Sequence, residues 1–324
     1  MPTIPFPVVH SILDAEALGR ELAGRYALPG EIFCRLELRG VNDLYRVRSG
    51  SGTLACRVWR TGRQPDWPVA YELEFLRFLD REGVPVAPPV EARDGTLFFT
   101  VEAPEGTREI ALFRWVDGRR SSLADESVFG LIGEEAARLH LAATAFRSPL
   151  AQRRRDDAAY IRRKLPGLLR SVAGRAADVE LYGHGAGLVL AFLDSLDLGP
   201  RQAIHGDLHY DNVLVDAAGR PTLMDLDAAG EDWPVKDLAA FLWRCDYGLA
   251  PHDFNRRFLE GYERIRALSP AERAALPALV AARELFIFSG VAEIVNRPPA
   301  AAMAGELDRN RDSFRRHLAA AGLA

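Results

Sequence analysis

Lysine is nearly absent from this chain. Of 41 basic residues only Lys164 and Lys236 are lysine, so a cationic task before residue 164 falls to arginine. Cysteine is scarce too: Cys34, Cys56 and Cys245 show no metal or disulfide spacing, which argues for reduced thiols and against a structural zinc site. No apolar run approaches the roughly 18 residues that a membrane span needs. The opening Met1-Pro2-Thr3-Ile4-Pro5-Phe6-Pro7 has neither a basic segment nor an apolar core, so no signal peptide is expected and the cytoplasm is the expected location. A net charge of -4 argues against general nucleic-acid binding, which leaves a basic footprint. The basic residues 153–155 and 162–164 are broken by Asp156 and Asp157, and read as a solvated helix face.

What is present is enough for two cores. The 324 residues are 48% hydrophobic and 27% charged, an ordinary globular balance at a length that accommodates two lobes. Ser11 opens a helical pattern with Leu13, Leu18, Leu22 and Tyr26 on one face, stopped by Pro29-Gly30. Strand-like segments over 33–38, 44–47 and 54–59 are separated by Gly-containing turns; a helix over 70–81 follows, then an extended Pro-rich linker over 83–89 and two more strands over 97–101 and 109–115. Past Gly118 the pattern becomes helical, over 125–146, 155–172, 185–197, 233–245, 251–266, 270–295 and 305–321. The expected fold is α+β and bilobal. A small lobe over 1–116 has a five-stranded antiparallel sheet with helices, and a larger, mainly helical lobe spans 117–324.

One short hairpin interrupts the helices, and it carries the most telling residues. Residues 205–212 read His-Gly-Asp-Leu-His-Tyr-Asp-Asn, and Asp225 follows Thr222-Leu223-Met224. Phosphoryl transfer needs a free carboxylate near the acceptor hydroxyl, and hard oxygen ligands for a Mg²⁺ that bridges the β- and γ-phosphates. Asp207 can supply the first; Asn212 and Asp225 can supply the second. A strand over 213–215, a two-residue turn at Ala218-Gly219 and a returning strand place those ligands side by side. Asp237 opens a helix where a buried carboxylate can accept backbone N–H groups from the loop at His205.

The pattern His205-x-Asp207-x4-Asn212, then Asp225, then Asp237-Leu238-Ala239, resembles the aminoglycoside phosphotransferase and choline kinase superfamily of protein-kinase-like enzymes. The Asp225-Leu226-Asp227 form is similar to the stress response kinase A and homoserine kinase type II group. The resemblance covers nearly the whole chain and implies ATP, Mg²⁺ and a hydroxyl-bearing acceptor. It implies that Asp207 orients the acceptor and takes its proton, that Asn212 and Asp225 hold the metal, and that His205 and Asp237 brace the loop. His209 and Asp211 receive no role, and Asp227 reads as a turn cap, with support of the metal ligands as the alternative.

For the small lobe the resemblance implies a nucleotide site. Gly40 and Asn42 lie in the turn that would cover the phosphates. Arg57, in Ala55-Cys56-Arg57-Val58-Trp59, stands where the family places its phosphate-anchoring lysine. That is a departure, because a planar guanidinium is not a compact ammonium. Glu72 is its expected partner, since Leu76 and Leu79 share its face; Glu74, about 200° away around the helix, is the alternative. Phe113 would wall the adenine pocket, with the backbone of Arg114 and Val116 along the purine edge. A small-molecule acceptor is favoured over a protein Ser/Thr side chain or a nucleotide-binding pseudoenzyme. Glu231, Asp232, Asp246, Glu284 and Glu293 could make an acidic acceptor pocket, although Arg244, Arg283 and Arg297 lie among them.

Overall fold

The computed structural model describes residues 6, 8–61, 68–150, 156–249, 252–295 and 300–323. α1 (Ala15–Arg25) begins after Asp14, whose side chain accepts the Ala17 N–H at 2.7 Å, a cap that fixes the start four residues beyond Ser11. β1 (Phe33–Arg39), β2 (Asp43–Ser49), β3 (Gly52–Val58), β4 (Phe99–Ala103) and β5 (Gly106–Arg114) form one antiparallel sheet in the order β1-β2-β3-β5-β4. α2 (Val69–Arg81) lies between β3 and β4 in the chain and buries Leu73, Phe75, Leu76 and Leu79. Burial of each such side chain contributes roughly 1.5–3 kcal/mol. Glu72 is buried on the same helix, and a buried carboxylate must be paired.

The helical lobe follows a short β6 (Arg119–Arg120). It contains α3 (Phe129–Ala143), α4 (Asp157–Ser171), α5 (Ala176–Ser195), α6 (Val235–Tyr247), α7 (His252–Ile265), α8 (Pro270–Val295) and α9 (Ala300–Ala320). The largest departures from the expected helix starts are at α5, which begins nine residues earlier than 185, and at α9, which begins at Ala300 rather than 305. Gly183, Gly185 and Gly187 break the apolar period inside α5, which hid its first half. Among these helices β7 (Gln202–Ile204) pairs antiparallel with β10 (Gly230–Asp232), while β8 (Val213–Val215) pairs with β9 (Pro221–Leu223) and β6. β6, β7 and β10 were not expected; segments of two or three residues are too short to show a period.

Two contacts position the site. The 83–89 linker lays Pro85 O against the Leu223 N–H at 2.9 Å, which ties the sheet lobe to the hairpin that leads to Asp225. α3 and α7 cross at bare backbone: a Cβ on Gly133 would stand 2.1 Å from Phe258 O, and one on Gly261 1.9 Å from Gly130 O. Only glycine permits that approach, and it brings His140 of α3 within 2.8 Å of Tyr262 of α7. The three cysteines are free and buried. Among the described residues no helix is long and apolar enough to cross a membrane. The basic residues 153–155 lie outside the described residues, whereas Arg162 beside them in sequence is exposed and paired with Asp194.

Candidate functional site

The loop that follows β7 is held by its backbone. Asp237, buried near the start of α6, accepts the Gly206 N–H at 2.7 Å and the His205 N–H at 2.8 Å. His140 Nε2 stands 3.0 Å from the same carboxylate, with Nδ1 on Tyr262 Oη. Burial would raise the Asp237 pKa, but these donors hold it below its ordinary value. Gly206 turns at φ +83°, in the left-handed region that favours glycine. His205 is buried, its Nε2 2.9 Å from Met224 O and its Nδ1 3.4 Å from the Asp207 N–H. That pairing fits a neutral ring with the proton on Nε2, and burial lowers its pKa. The β8–β9 connection is longer than a two-residue turn: Asp216 N–H donates to Arg220 O at 3.1 Å, and the chain turns over residues 217–219. Asp216 Oδ1 stabilises the longer turn by accepting the N–H groups of Ala218 and Arg220, each at 2.9 Å.

Asp207 leaves this loop toward α8, where its Oδ1 accepts a bond from Arg283 Nη2. His209 Nε2 lies 3.7 Å from the other oxygen, and His209 Nδ1 lies 3.7 Å from Asp211. Burial pushes the Asp207 carboxyl up, yet Arg283, with help from His209 and His205, holds it well below the usual carboxylate range. The group is therefore ionised at neutral pH. Asp211 is engaged by Arg244 at 2.6 Å, which separates it from Asp207 in task.

Asn212 and Asp225 meet through the backbone, since the Met224 N–H donates to Asn212 O at 2.8 Å. Asn212 Nδ2 donates to Asp207 O at 3.0 Å, which leaves Oδ1 as the acceptor of that side chain. Asp225 adopts φ 62°, ψ 57°, an uncommon left-handed conformation for a residue with a Cβ, and its side chain is 47% exposed. One amide oxygen and one exposed carboxylate suit Mg²⁺, a hard cation that is held by one or two protein groups with phosphates and waters supplying the rest. Among the described residues no group of three His, Cys, Asp or Glu is placed to hold a metal, and a Mg²⁺ shared with phosphates does not need one.

Above these residues Arg57 Nη1 bonds Glu72 Oε1 at 2.7 Å, and Nη2 lies 3.3 Å from Asp225. Glu74 instead bonds Ser148, on the other side of α2. Burial opposes the charge of Arg57, but Glu72, Asp225 and Asp227 outweigh it and raise its pKa. The β1–β2 turn at Gly40-Val41-Asn42 overhangs the site: its base is Asp43, locked by Arg108 at 3.0 Å, and Asn42 Nδ2 reaches Asp227 at 3.3 Å. A Cβ on Gly40 would meet Asn42 O at 3.5 Å, an ordinary contact, so the turn itself does not require glycine there.

A cleft of about 1150 Å³ runs beneath this turn. Gly40, Asn42, Arg57, Glu72, Phe113, Arg114, Val116, Asp207, Asn212 and Asp225 all line it, while His205 and Asp237 lie behind the loop. One expectation is narrowed and one is corrected. The Arg114 N–H donates to Pro88 O at 3.0 Å, so of its backbone groups that donor is not available to the purine edge; no such bond engages Val116 among the described residues. Among the described residues the acidic acceptor pocket is not formed. Asp232 is buried against Lys236 at 2.6 Å, Glu284 is buried against His317 and Asn310, and Asp246 bonds Asn255 at 2.7 Å. Glu231 pairs in β10 away from the cleft lining, and the side chain of Glu293 and residue Arg297 lie outside the described residues. Arg283 and His140 were missed as site residues. An arginine inside the apolar stretch Ala281-Ala282-Arg283-Glu284-Leu285-Phe286 was the available sign that α8 points a charge inward.

A bilobal fold with these groups in its interlobe cleft defines a kinase-like phosphotransferase. The phosphotransferase enzyme family matches residues 36–277, and the chain belongs to that family. It is 34% identical over 290 residues to an uncharacterized protein of Deinococcus radiodurans, covering 87% of this chain and 83% of that one. It is 31% identical to a homoserine kinase of Bradyrhizobium diazoefficiens, covering 80% and 78%. A microcompartment-associated aminopropanol kinase has the same fold, with a TM-score of 0.79 at 23% identity over 95% of this chain and 99% of that one.

Proposed function

We propose that the chain transfers the γ-phosphate of ATP to the hydroxyl of a small molecule, in the cytoplasm, with Mg²⁺ held at Asn212 and Asp225. The observation that carries this reading is the convergence of Asp207, Asn212 and Asp225 on one cleft, below Arg57 and the Gly40–Asn42 turn. In it, residues 1–116 hold the nucleotide and 117–324 supply the catalytic loop and the acceptor site. Arg57, fixed by Glu72, binds α- and β-phosphate oxygens through its planar fork. The turn at Gly40 and Asn42 covers the phosphates, Phe113 walls the base, and the Val116 N–H donates to its edge. Asp207, ionised and held by Asn212 and the Asp237-braced loop, accepts a bond from the acceptor hydroxyl and aligns its oxygen with the γ-phosphorus. As that oxygen bonds phosphorus, the bond to the β-bridging oxygen breaks, ADP departs, and the hydroxyl proton leaves by way of Asp207. When bound, Mg²⁺ neutralises charge that develops on the β- and γ-phosphate oxygens.

Relatives named homoserine kinase support a small acceptor. An ATP-turnover assay with pooled amino alcohols, hydroxy acids, sugars, aminoglycosides and basic proteins tests the reading. ADP release with one small-molecule pool supports it. Turnover confined to basic proteins would make the chain a protein kinase, and ATP binding without turnover on any pool would make it a nucleotide-binding regulator.

A further inference from the structure

The acceptor end of the cleft carries a positive group where a cationic acceptor would need a negative one. α8 contributes Arg283, Phe286 and Ile287 to the lining. The Arg283 side chain is only 10% exposed and has the Trp243 ring 5.9 Å and the Phe286 ring 5.5 Å away. A guanidinium has five N–H donors. Here Nη2 bonds Asp207, Nη1 reaches Gly206 O only at 3.5 Å, and Nε has no hydrogen-bond partner among the described residues. Buried donors left unmatched are unfavourable, so a guanidinium this enclosed with spare donors is suited to receive a further oxygen. The other carboxylates of the cleft named above have their own partners: Asp211 has Arg244 at 2.6 Å, Glu72 and Asp225 have Arg57 at 2.7 and 3.3 Å, and Asp227 accepts from Asn42 at 3.3 Å.

Resting on the phosphotransfer reading above, we propose that the acceptor is a small hydroxyl compound bearing a carboxylate, which Arg283 receives while Asp207 takes the hydroxyl. Because Arg283 and Asp207 are in contact, the two groups of the acceptor lie only a few bonds apart, as in a short hydroxy acid. A carboxylate matches the planar fork through paired N–H bonds, which an amino alcohol cannot offer. Apolar Phe286 and Ile287 then flank the carbon chain between the two groups.

The test is turnover of the full chain with Mg²⁺-ATP on two matched pools. One holds short hydroxy acids, homoserine among them; the other holds the amino alcohols left when the carboxylate is removed, 3-aminopropan-1-ol among them. The parent is expected to favour the acids by on the order of 10²-fold in kcat/KM, the scale for a buried charge pair. Arg283→Gln should bring the pools near parity, chiefly through a raised KM for the acids, with ATP affinity unchanged. Arg283→Lys should keep part of the preference, and it is the arm to read if Arg283→Gln does not fold. A parent that favours the amino alcohols overturns the assignment but leaves phosphotransfer standing, as does an equal loss on both pools in Arg283→Gln. Lost ATP affinity in Arg283→Gln would put the guanidinium on the nucleotide and overturn it too. ATP binding with no turnover on either pool or on any other small hydroxyl compound overturns the small-molecule reading and this assignment with it.

Discussion

The guanidinium of Arg57 on β3 stands 2.7 Å from the carboxylate of Glu72 on α2. Both side chains are enclosed, that of Arg57 17% exposed and that of Glu72 2%. The pair therefore fixes a cation over the cleft and couples α2 to the sheet. Arg57→Ala should weaken ATP binding strongly and take the guanidinium away from the buried Glu72 carboxylate, a loss on the order of 3 kcal/mol in stability. Arg57→Lys should retain a measurable part of both. Nucleotide titration and urea denaturation of the two variants check this; parent-like ATP affinity in Arg57→Ala would remove Arg57 from the nucleotide site.

Asp237 holds two backbone N–H groups of the loop and one ring of α3. In Asp237→Ala those buried donors lose their acceptor, at about 1–3 kcal/mol each. The expected outcome is a large fall in the urea midpoint together with loss of turnover. Asp237→Asn, which keeps one oxygen, should fall between. Parent-like stability in Asp237→Ala would show that the loop is held elsewhere.

Asp225 separates backbone strain from metal binding. Its left-handed backbone disfavours a Cβ by roughly 1–2 kcal/mol, a penalty glycine escapes. Asp225→Gly should therefore be no less stable than the parent in thermal melts, yet lose the Mg²⁺-dependent part of ATP affinity. A variant that keeps Mg²⁺-dependent affinity would place the metal on other groups.

His317 on α9 gives the stability of the helical lobe a pH dependence. Burial opposes its charge, but Asp246 at 3.3 Å and Glu284 at 2.5 Å outweigh burial and raise its pKa from 6.5 to about 9. Burial also pushes Glu284 up, so the cluster holds its proton more tightly from both sides. A raised folded-state pKa contributes stability that is fully present below 6.5 and is lost as pH rises through about 9. Urea midpoints across that window should fall more steeply for the parent than for His317→Gln; parallel curves would exclude this cluster as the cause.

Much of this was legible in the sequence because it is local. Asp207 and Asn212 share one loop, and a single hairpin returns Asp225 beside them, so spacing alone brings them together. Helix geometry separated Glu72 from Glu74 in the same way, since only one of two residues about 200° apart can face the sheet. The rest depends on contacts that no local pattern encodes. Arg283 reaches Asp207 across 76 residues, and His140 reaches Asp237 across 97. Glu284, expected at the acceptor, was misplaced for the same reason: its partners, His317 and Asn310, come from α9 and are set by helix packing. β7 and β10 escaped notice because three residues carry no periodicity.

The most direct test divides Asp207 from Asp225. ATP affinity is measured by calorimetry with and without Mg²⁺, beside turnover, for Asp207→Asn and Asp225→Ala. Asp225→Ala should lose Mg²⁺-dependent affinity. Asp207→Asn should keep Mg²⁺-ATP affinity nearly intact while turnover falls roughly 10²–10⁴-fold, the range for losing a positioned base. Equal loss of affinity in both variants, or parent-like turnover in Asp207→Asn, would contradict the account.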